Sequence, residues 1–267
     1  MYNQAKMKFP ELEEIREKIN LNGFFILKNL IPQEEYLEMR RETMTFFFKQ
    51  NEIINSLPKA LRGGISAGMP NVIGYSKNKN WNIIRSCFFT WNRNPNELRK
   101  TIEISRKVSA FRNKIIGLPS DYGSCIENDN YCQYTSLSLY PKDGGFLNKH
   151  TDGHKVDNEF NLLHFKIELT HKNKDYKNGG FYIWDKHNKR HCLSSAITAG
   201  DVLLFDGSLP HEIKPIDGDM GRIALFEIPT YVTKKSRCQS YTDINESKNI
   251  ISKLKSKIYN FKESLKK

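Results

Sequence analysis

The chain has 267 residues, 38% of them hydrophobic and 12% aromatic, which is enough for one large domain with a substantial core. Forty-two Lys and Arg against thirty Asp and Glu give a formal net charge of +12, a balance that favours anionic partners or a solvated lysine-rich surface. No apolar run reaches about 18 residues, so no membrane-spanning helix is expected, and Met1-Tyr-Asn-Gln-Ala-Lys6 lacks the apolar region of a signal peptide.

Residues 9–20 carry Leu12, Ile15 and Ile19 at helical spacing, with Gly23 to close the helix. Phe24–Leu27 follows as a strand. Pro32 opens a second helix that runs to about Phe48. Residues 50–80 are glycine-rich and poorly periodic. Within them, 60–80, with Gly63, Gly64, Gly68 and Gly74, are expected to form a mobile cover that orders over an active site. Trp81–Trp91 reads as a strand or a mixed segment, and Asn96 as the cap of a helix from about Glu97 to Ile116.

From residue 131 the signal turns to β. In Tyr131–Tyr140, Tyr134, Ser136, Ser138 and Tyr140 share one face, with Leu137 and Leu139 on the other. In 162–169, Leu163, Phe165, Ile167 and Leu169 alternate with His164, Lys166 and Glu168. That predicts a sheet with one face to a core and the other to a cavity or to solvent. Short strands and glycine turns continue to Thr230. A closing helix is expected over 244–265, with Ile250, Ile251, Leu254, Ile258 and Phe261 on one stripe. The expected organisation is a single domain over 1–267: helices within residues 1–120, a β core at about 121–232 and the C-terminal helix. Cys87, Cys125, Cys132, Cys192 and Cys238 are odd in number and without Cys-x-x-Cys pairing. They read as reduced thiols, and a cytoplasmic location is expected.

The chemistry-bearing pattern is His150-x-Asp152, then a distant His211, then Arg222. Two imidazoles and one carboxylate are the ligand set that holds non-haem Fe(II) with positions left open. Residues i and i+2 of a strand share a face, so His150 and Asp152 can grip one ion from one strand end. His211 must then come from another strand. Arg222 begins the apolar run Arg222–Ile228, where a buried guanidinium would pair with a dicarboxylate co-substrate.

At these residues the chain resembles the Fe(II)/2-oxoglutarate-dependent dioxygenase superfamily, and more narrowly its phytanoyl-CoA-hydroxylase and prolyl-hydroxylase types. The likeness is carried by 140–152, 178–184, 200–211 and 221–224, with 22–31 resembling a first core strand. It implies a mainly β fold with flanking helices, the double-stranded β-helix (a cupin-like jelly roll). It implies iron held by His150, Asp152 and His211, with 2-oxoglutarate and O2 as co-substrates. Arg222 would meet the far carboxylate of 2-oxoglutarate. Where many members have Arg-x-Ser, this chain has Ala224, so Tyr140 or Ser138 would replace the serine; Lys166 is a second candidate partner for the carboxylate, but Arg222 already fills that need. The reaction implied is hydroxylation of an unactivated C–H bond of a small metabolite, amino-acid-like or secondary, with release of succinate and CO2. Asp152 argues against halogenation, since halogenases of this type lack the carboxylate. Arg85, Trp91, His154 and His164 are candidate substrate contacts, Arg85 for an anionic substrate. His171, His187 and His191 read as surface residues. Two other readings stay open: an oxygenase acting on a nucleic acid or a protein side chain, and a non-catalytic barrel that binds metal or ligand only.

Overall fold

The computed structural model describes residues 7, 9–56, 74–77, 79–89, 96–125, 127, 131–152 and 163–231. The expected C-terminal helix 244–265, Trp91, His154 and residues 60–73 and 78 of the expected cover lie outside the described residues. Among the described residues the α-helices are α1 (Leu12–Asn22), α2 (Gln33–Ser56) and α3 (Arg99–Ile115). The strands, in chain order, are β1 (Phe24–Leu27), β2 (Gly74–Lys77), β3 (Trp81–Phe89), β4 (Tyr131–Tyr140), β5 (Gly145–His150), β6 (Leu163–Glu168), β7 (Asn178–Trp184), β8 (Arg190–Cys192), β9 (Val202–Asp206), β10 (His211–Asp217) and β11 (Arg222–Tyr231).

α1 is closed by Gly23 as expected. At φ 81 its N–H donates to Ile19 O at 2.7 Å, a left-handed cap that a side chain would strain. α2 runs eight residues past Phe48, because no glycine or proline interrupts the chain before Pro58. Its extension takes in the start of the glycine-rich stretch, and Gly74–Lys77 of the expected cover is β2, paired with β3. α3 begins with a 3-10 turn, Asn96–Leu98. Its first N–H groups are not capped by Asn96. They donate instead to the Glu42 carboxylate of α2, Lys100 N at 3.0 Å and Thr101 N at 2.8 Å.

The strands pair in the order β1-β9-β6-β11-β4-β3-β5-β10-β7-β8, every ladder antiparallel. Residues remote in that order nevertheless touch. Lys166 Nζ of β6 lies 3.4 Å from the centroid of Phe181 of β7, and the rings of Phe205 (β9) and His211 (β10) are 5.4 Å apart. The sheet therefore folds back on itself into two facing walls, a jelly roll.

Alternation sorts the side chains onto two layers. Leu137, Leu139, Leu163, Phe165, Ile167, Val202, Leu204, Ile223 and Leu225 face outward and pack beneath the helices with Ile15, Ile19, Met39, Ile104 and Val108. Tyr140, Phe181, Ile183, Leu203, Phe205, Leu209 and Ile213 form a second cluster between the walls. The polar set of β6, His164, Lys166 and Glu168, faces that interior and is buried, so the alternation meets a cavity rather than solvent.

Candidate active site

β5 and β10 are antiparallel neighbours, and their register sets His211 directly opposite His150. Cross-strand pairing thus joins two histidines that are far apart in sequence, with ring centroids 4.3 Å apart. Asp152 lies just past the end of β5, where its N–H donates to Gly207 O at 2.8 Å and so ties the residue to the turn after β9. One ligand-type atom from each of His150, Asp152 and His211 falls within 4.8 Å of the others.

The two imidazoles are held in matching ways. His150 Nδ1 is 2.7 Å from Asn148 O and His211 Nδ1 is 2.8 Å from Leu209 O. A carbonyl only accepts, so each Nδ1 carries the proton and each Nε2 keeps its lone pair. Both Nε2 atoms point at Asp152, at 3.7 Å for His150 and 3.5 Å for His211. Carbonyl-held imidazoles with free Nε2 beside a carboxylate are the donor set a divalent metal takes. Burial, with the neighbouring His211, depresses the His150 pKa, which favours the neutral, ligating form. Burial works against the Asp152 charge, but the hydrogen bond from His164 and the nearness of the His164 and His211 imidazoles outweigh it and hold the carboxyl well below its usual range. The fit to a metal ion is good on every count.

A cavity of about 250 Å³ opens beside this group. Its polar lining includes Arg85, Ser138, Tyr140, His150, Asp152 and His211, and its apolar lining Phe226 and Ile228 of β11. Arg85 Nε donates to Ser136 Oγ at 2.6 Å, and its guanidinium lies over the Tyr134 ring. Ser138 and Tyr140 both face the cavity, and their β11 partners in register are Ala224 and Arg222.

Arg222 sits behind the Tyr140 and Phe181 rings, 5.2 Å and 5.9 Å from their centroids, and is not itself among the residues lining the cavity. Nη2 donates to Glu168 Oε1 at 2.6 Å. Lys166 Nζ lies 2.7 Å from the same oxygen but without hydrogen-bond alignment. Among the described residues Arg222 Nε and Nη1, Lys166 Nζ and Glu168 Oε2 have no hydrogen-bond partner. Burial drives the Lys166 pKa well below the lysine range, and Glu168 only partly offsets it. Burial opposes the Glu168 charge too, but Arg222 and Lys166 keep its pKa below the ordinary value. Two buried bases and one acid here leave donors in excess, which is an unusual cost unless a further acceptor arrives.

Of the residues singled out in the sequence, His150, Asp152 and His211 converge, and Arg85, Ser138 and Tyr140 share their cavity. His164 points inward as well, but onto Asp152: Nε2 is 3.0 Å from Oδ2. Of the residues read as surface, His191 pairs with Asp185 at 2.7 Å, and half-buried His171 lies 2.6 Å from Tyr36 Oη. Glu168 was missed. Its signal was the pattern His164-x-Lys166-x-Glu168, three ionisable groups on one face of a strand flanked by β9 and β11, which leaves that face no route to water.

No protein-family model and no curated protein sequence matches the chain. Solved structures do match its fold. A prolyl-4-hydroxylase from Pseudomonas putida aligns over 84% of this chain and 100% of its own, at 12% identity and a TM-score of 0.53. A prolyl hydroxylase in complex with a hypoxia inducible factor peptide fragment, from Trichoplax adhaerens, aligns over 85% and 90%, at 18% identity and 0.54. AviO1 from Streptomyces viridochromogenes Tue57 aligns over 82% and 95%, at 14% identity and 0.51. At such identities the likeness speaks for the fold. The chain shares the jelly-roll fold of these proteins, and His150, Asp152 and His211 form its candidate metal site.

Proposed function

We propose that this chain is an Fe(II)- and 2-oxoglutarate-dependent oxygenase that hydroxylates an unactivated C–H bond of a small metabolite. The observation that carries the reading is the pair of imidazoles with Nδ1 tied to carbonyls and Nε2 turned to Asp152, within one 4.8 Å cluster. Bound there, Fe(II) with 2-oxoglutarate and O2 supplies the oxidising chemistry: one oxygen atom enters the C–H bond, the other enters succinate, and CO2 leaves. His150, Asp152 and His211 would hold the iron, a ligand set that leaves room for co-substrates. With an acidic residue at 152, no ligand position is vacated for a halide.

The buried cations support the co-substrate assignment. With Lys166 protonated, Lys166, Arg222 and Glu168 sum to one positive charge, which one further carboxylate neutralises. Among the described residues Arg222 Nε and Nη1 and Lys166 Nζ find no hydrogen-bond acceptor. They would receive the far carboxylate of 2-oxoglutarate, with Tyr140 and Ser138 flanking it in place of the serine that Ala224 replaces. The apolar walls, Phe181, Phe205, Phe226 and Ile213, keep water from the reacting groups. Arg85, on the cavity wall, would orient an acidic end of the substrate, amino-acid-like or a secondary metabolite. Two of the structural neighbours are prolyl hydroxylases, so proline and prolyl peptides belong first in the substrate panel.

The test is succinate release under air with Fe(II) and 2-oxoglutarate, screened over prolyl compounds, other amino acids, nucleosides and acyl carriers. Release by the wild type and none by His150→Ala is expected. Equal release by the two proteins would sink the reading.

A further inference from the structure

The sequence marks His164 as one residue of the polar face of β6, and the structure places it against a metal-site residue rather than in the cavity. His164 is 1% exposed. Its Nε2 lies 3.0 Å from Asp152 Oδ2, nearer than either imidazole of the candidate triad comes to that carboxylate. An ionised carboxylate oxygen only accepts, so this contact requires the proton on His164 Nε2. The ring is packed from two sides. Phe205, its partner in register on β9, lies 5.2 Å away between centroids. Gly207 lies so close that a Cβ there would fall 2.4 Å from His164 Cε1 and 2.8 Å from Nε2. Gly207 O also accepts the Asp152 N–H, at 2.8 Å. One glycine thus leaves room for the imidazole and fixes the backbone of the residue that the imidazole holds. Asp152 needs such a brace: it follows the end of β5, so no strand pairing sets its side chain.

We infer that His164 is the positioning residue of the metal centre, its Nε2–H pinning the Asp152 carboxylate in the orientation that His150 and His211 require. The inference rests on the reading of those three residues as metal ligands. A donor on one carboxylate lone pair stops the group rotating between its two histidine neighbours and leaves the remaining lone pairs for the ion. Partners of this kind commonly carry a factor of about 10 to 100 in metal affinity. His164 is not among the residues lining the cavity, so its effect on the metal centre is exerted through Asp152.

The experiment uses the full-length chain and Co(II) as probe, with affinity read by titration and ligand geometry by the visible absorption of the bound ion. Expected results are about 10- to 100-fold weaker binding for His164→Ala with an altered spectrum, and partial recovery for His164→Gln, which keeps a donor. Gly207→Ala supplies a second route that retains the imidazole. Its new methyl group displaces the ring, so it should weaken Co(II) binding too. In the double variant His164→Ala/Gly207→Ala the methyl group has room, and the loss should not exceed that of His164→Ala alone. Wild-type affinity and spectrum in both His164 variants would overturn the inference, as would fully additive losses in the double variant. A wild-type chain that takes up no Co(II) would instead overturn the metal reading on which this rests.

Discussion

Arg222 illustrates how a residue legible in the sequence acquires a setting that is not. Its place at the start of β11 followed from Arg222–Ile228, but its partner Glu168 comes from β6, on the other side of a ladder. With Nε and Nη1 unpaired among the described residues, Arg222 is expected to hold the far carboxylate of 2-oxoglutarate. Arg222→Ala should raise the 2-oxoglutarate Kd by about 30-fold or more, the effect of losing a sheltered charged pair worth roughly 2–5 kcal/mol. Tyr140→Phe deletes one neutral hydrogen bond of about 0.5–1.5 kcal/mol and should be milder. The reverse order in calorimetric titrations would show the carboxylate seated elsewhere. Lys166 adds a pH dependence. Burial depresses its pKa in the empty site, and an arriving carboxylate raises it again. In the interval between those two values, binding takes up a proton. Affinity is therefore greatest below the empty-site pKa and falls as pH rises toward the ordinary lysine range. Calorimetry in two buffers of different protonation enthalpy should detect that proton in the wild type and not in Lys166→Met. A wild type that binds without proton uptake would mean that Lys166 is charged throughout or remote from the ligand.

At the scale of elements, what repeats locally was readable and what is borrowed from a neighbour was not. β4 spans the predicted Tyr131–Tyr140, and β6 falls within the predicted 162–169, because a period of two is written in consecutive residues. α3 starts where the sequence predicts, but its cap does not come from Asn96. Asn96 has the chemistry of a cap, yet the N–H groups of Lys100 and Thr101 go to Glu42, 58 and 59 residues earlier. A carboxylate there also meets the positive end of the helix. Glu42→Ala should therefore lower stability by about 0.5–2 kcal/mol, while Asn96→Ala should cost little, measured by chemical denaturation. A larger loss from Asn96→Ala would restore the local cap. Beneath α3, Glu227 accepts from Ser105 and Ser109 with Arg112 alongside, a buried polar seam between helix and sheet that no hydropathy pattern announces.

For the whole molecule, the folded-back sheet is what makes a metal site out of separate strands. The unfolded chain has no such site, so a metal that binds the candidate triad must stabilise the fold. At 100 times its Kd the gain is about 2.7 kcal/mol, which in a chain of this size raises the Tm by roughly 5–10 °C. The shift should appear with Co(II) or Zn(II) as well as Fe(II), since imidazole and carboxylate ligands accept all three. It should vanish in His150→Ala; a shift of equal size in that variant would place the metal elsewhere. The +12 charge bears on partners at this same scale. Its densest cluster, Lys253, Lys255, Lys257, Lys262, Lys266 and Lys267, lies outside the described residues. Among the described residues no helix is long and apolar enough to cross a membrane.

Local pattern was enough to settle most of the strands, the two faces of each, and the candidate ligands. Strand period, residue type and the i, i+2 relation of His150 and Asp152 are properties of consecutive residues. The folded arrangement was needed for the register that sets His211 against His150, the carbonyls that fix their tautomers, the turn of His164 onto Asp152 and the burial of Glu168 between Lys166 and Arg222. Each of these depends on which strand lies beside or across from which. That is settled by how two apolar walls close over one interior, a condition no single stretch of residues encodes.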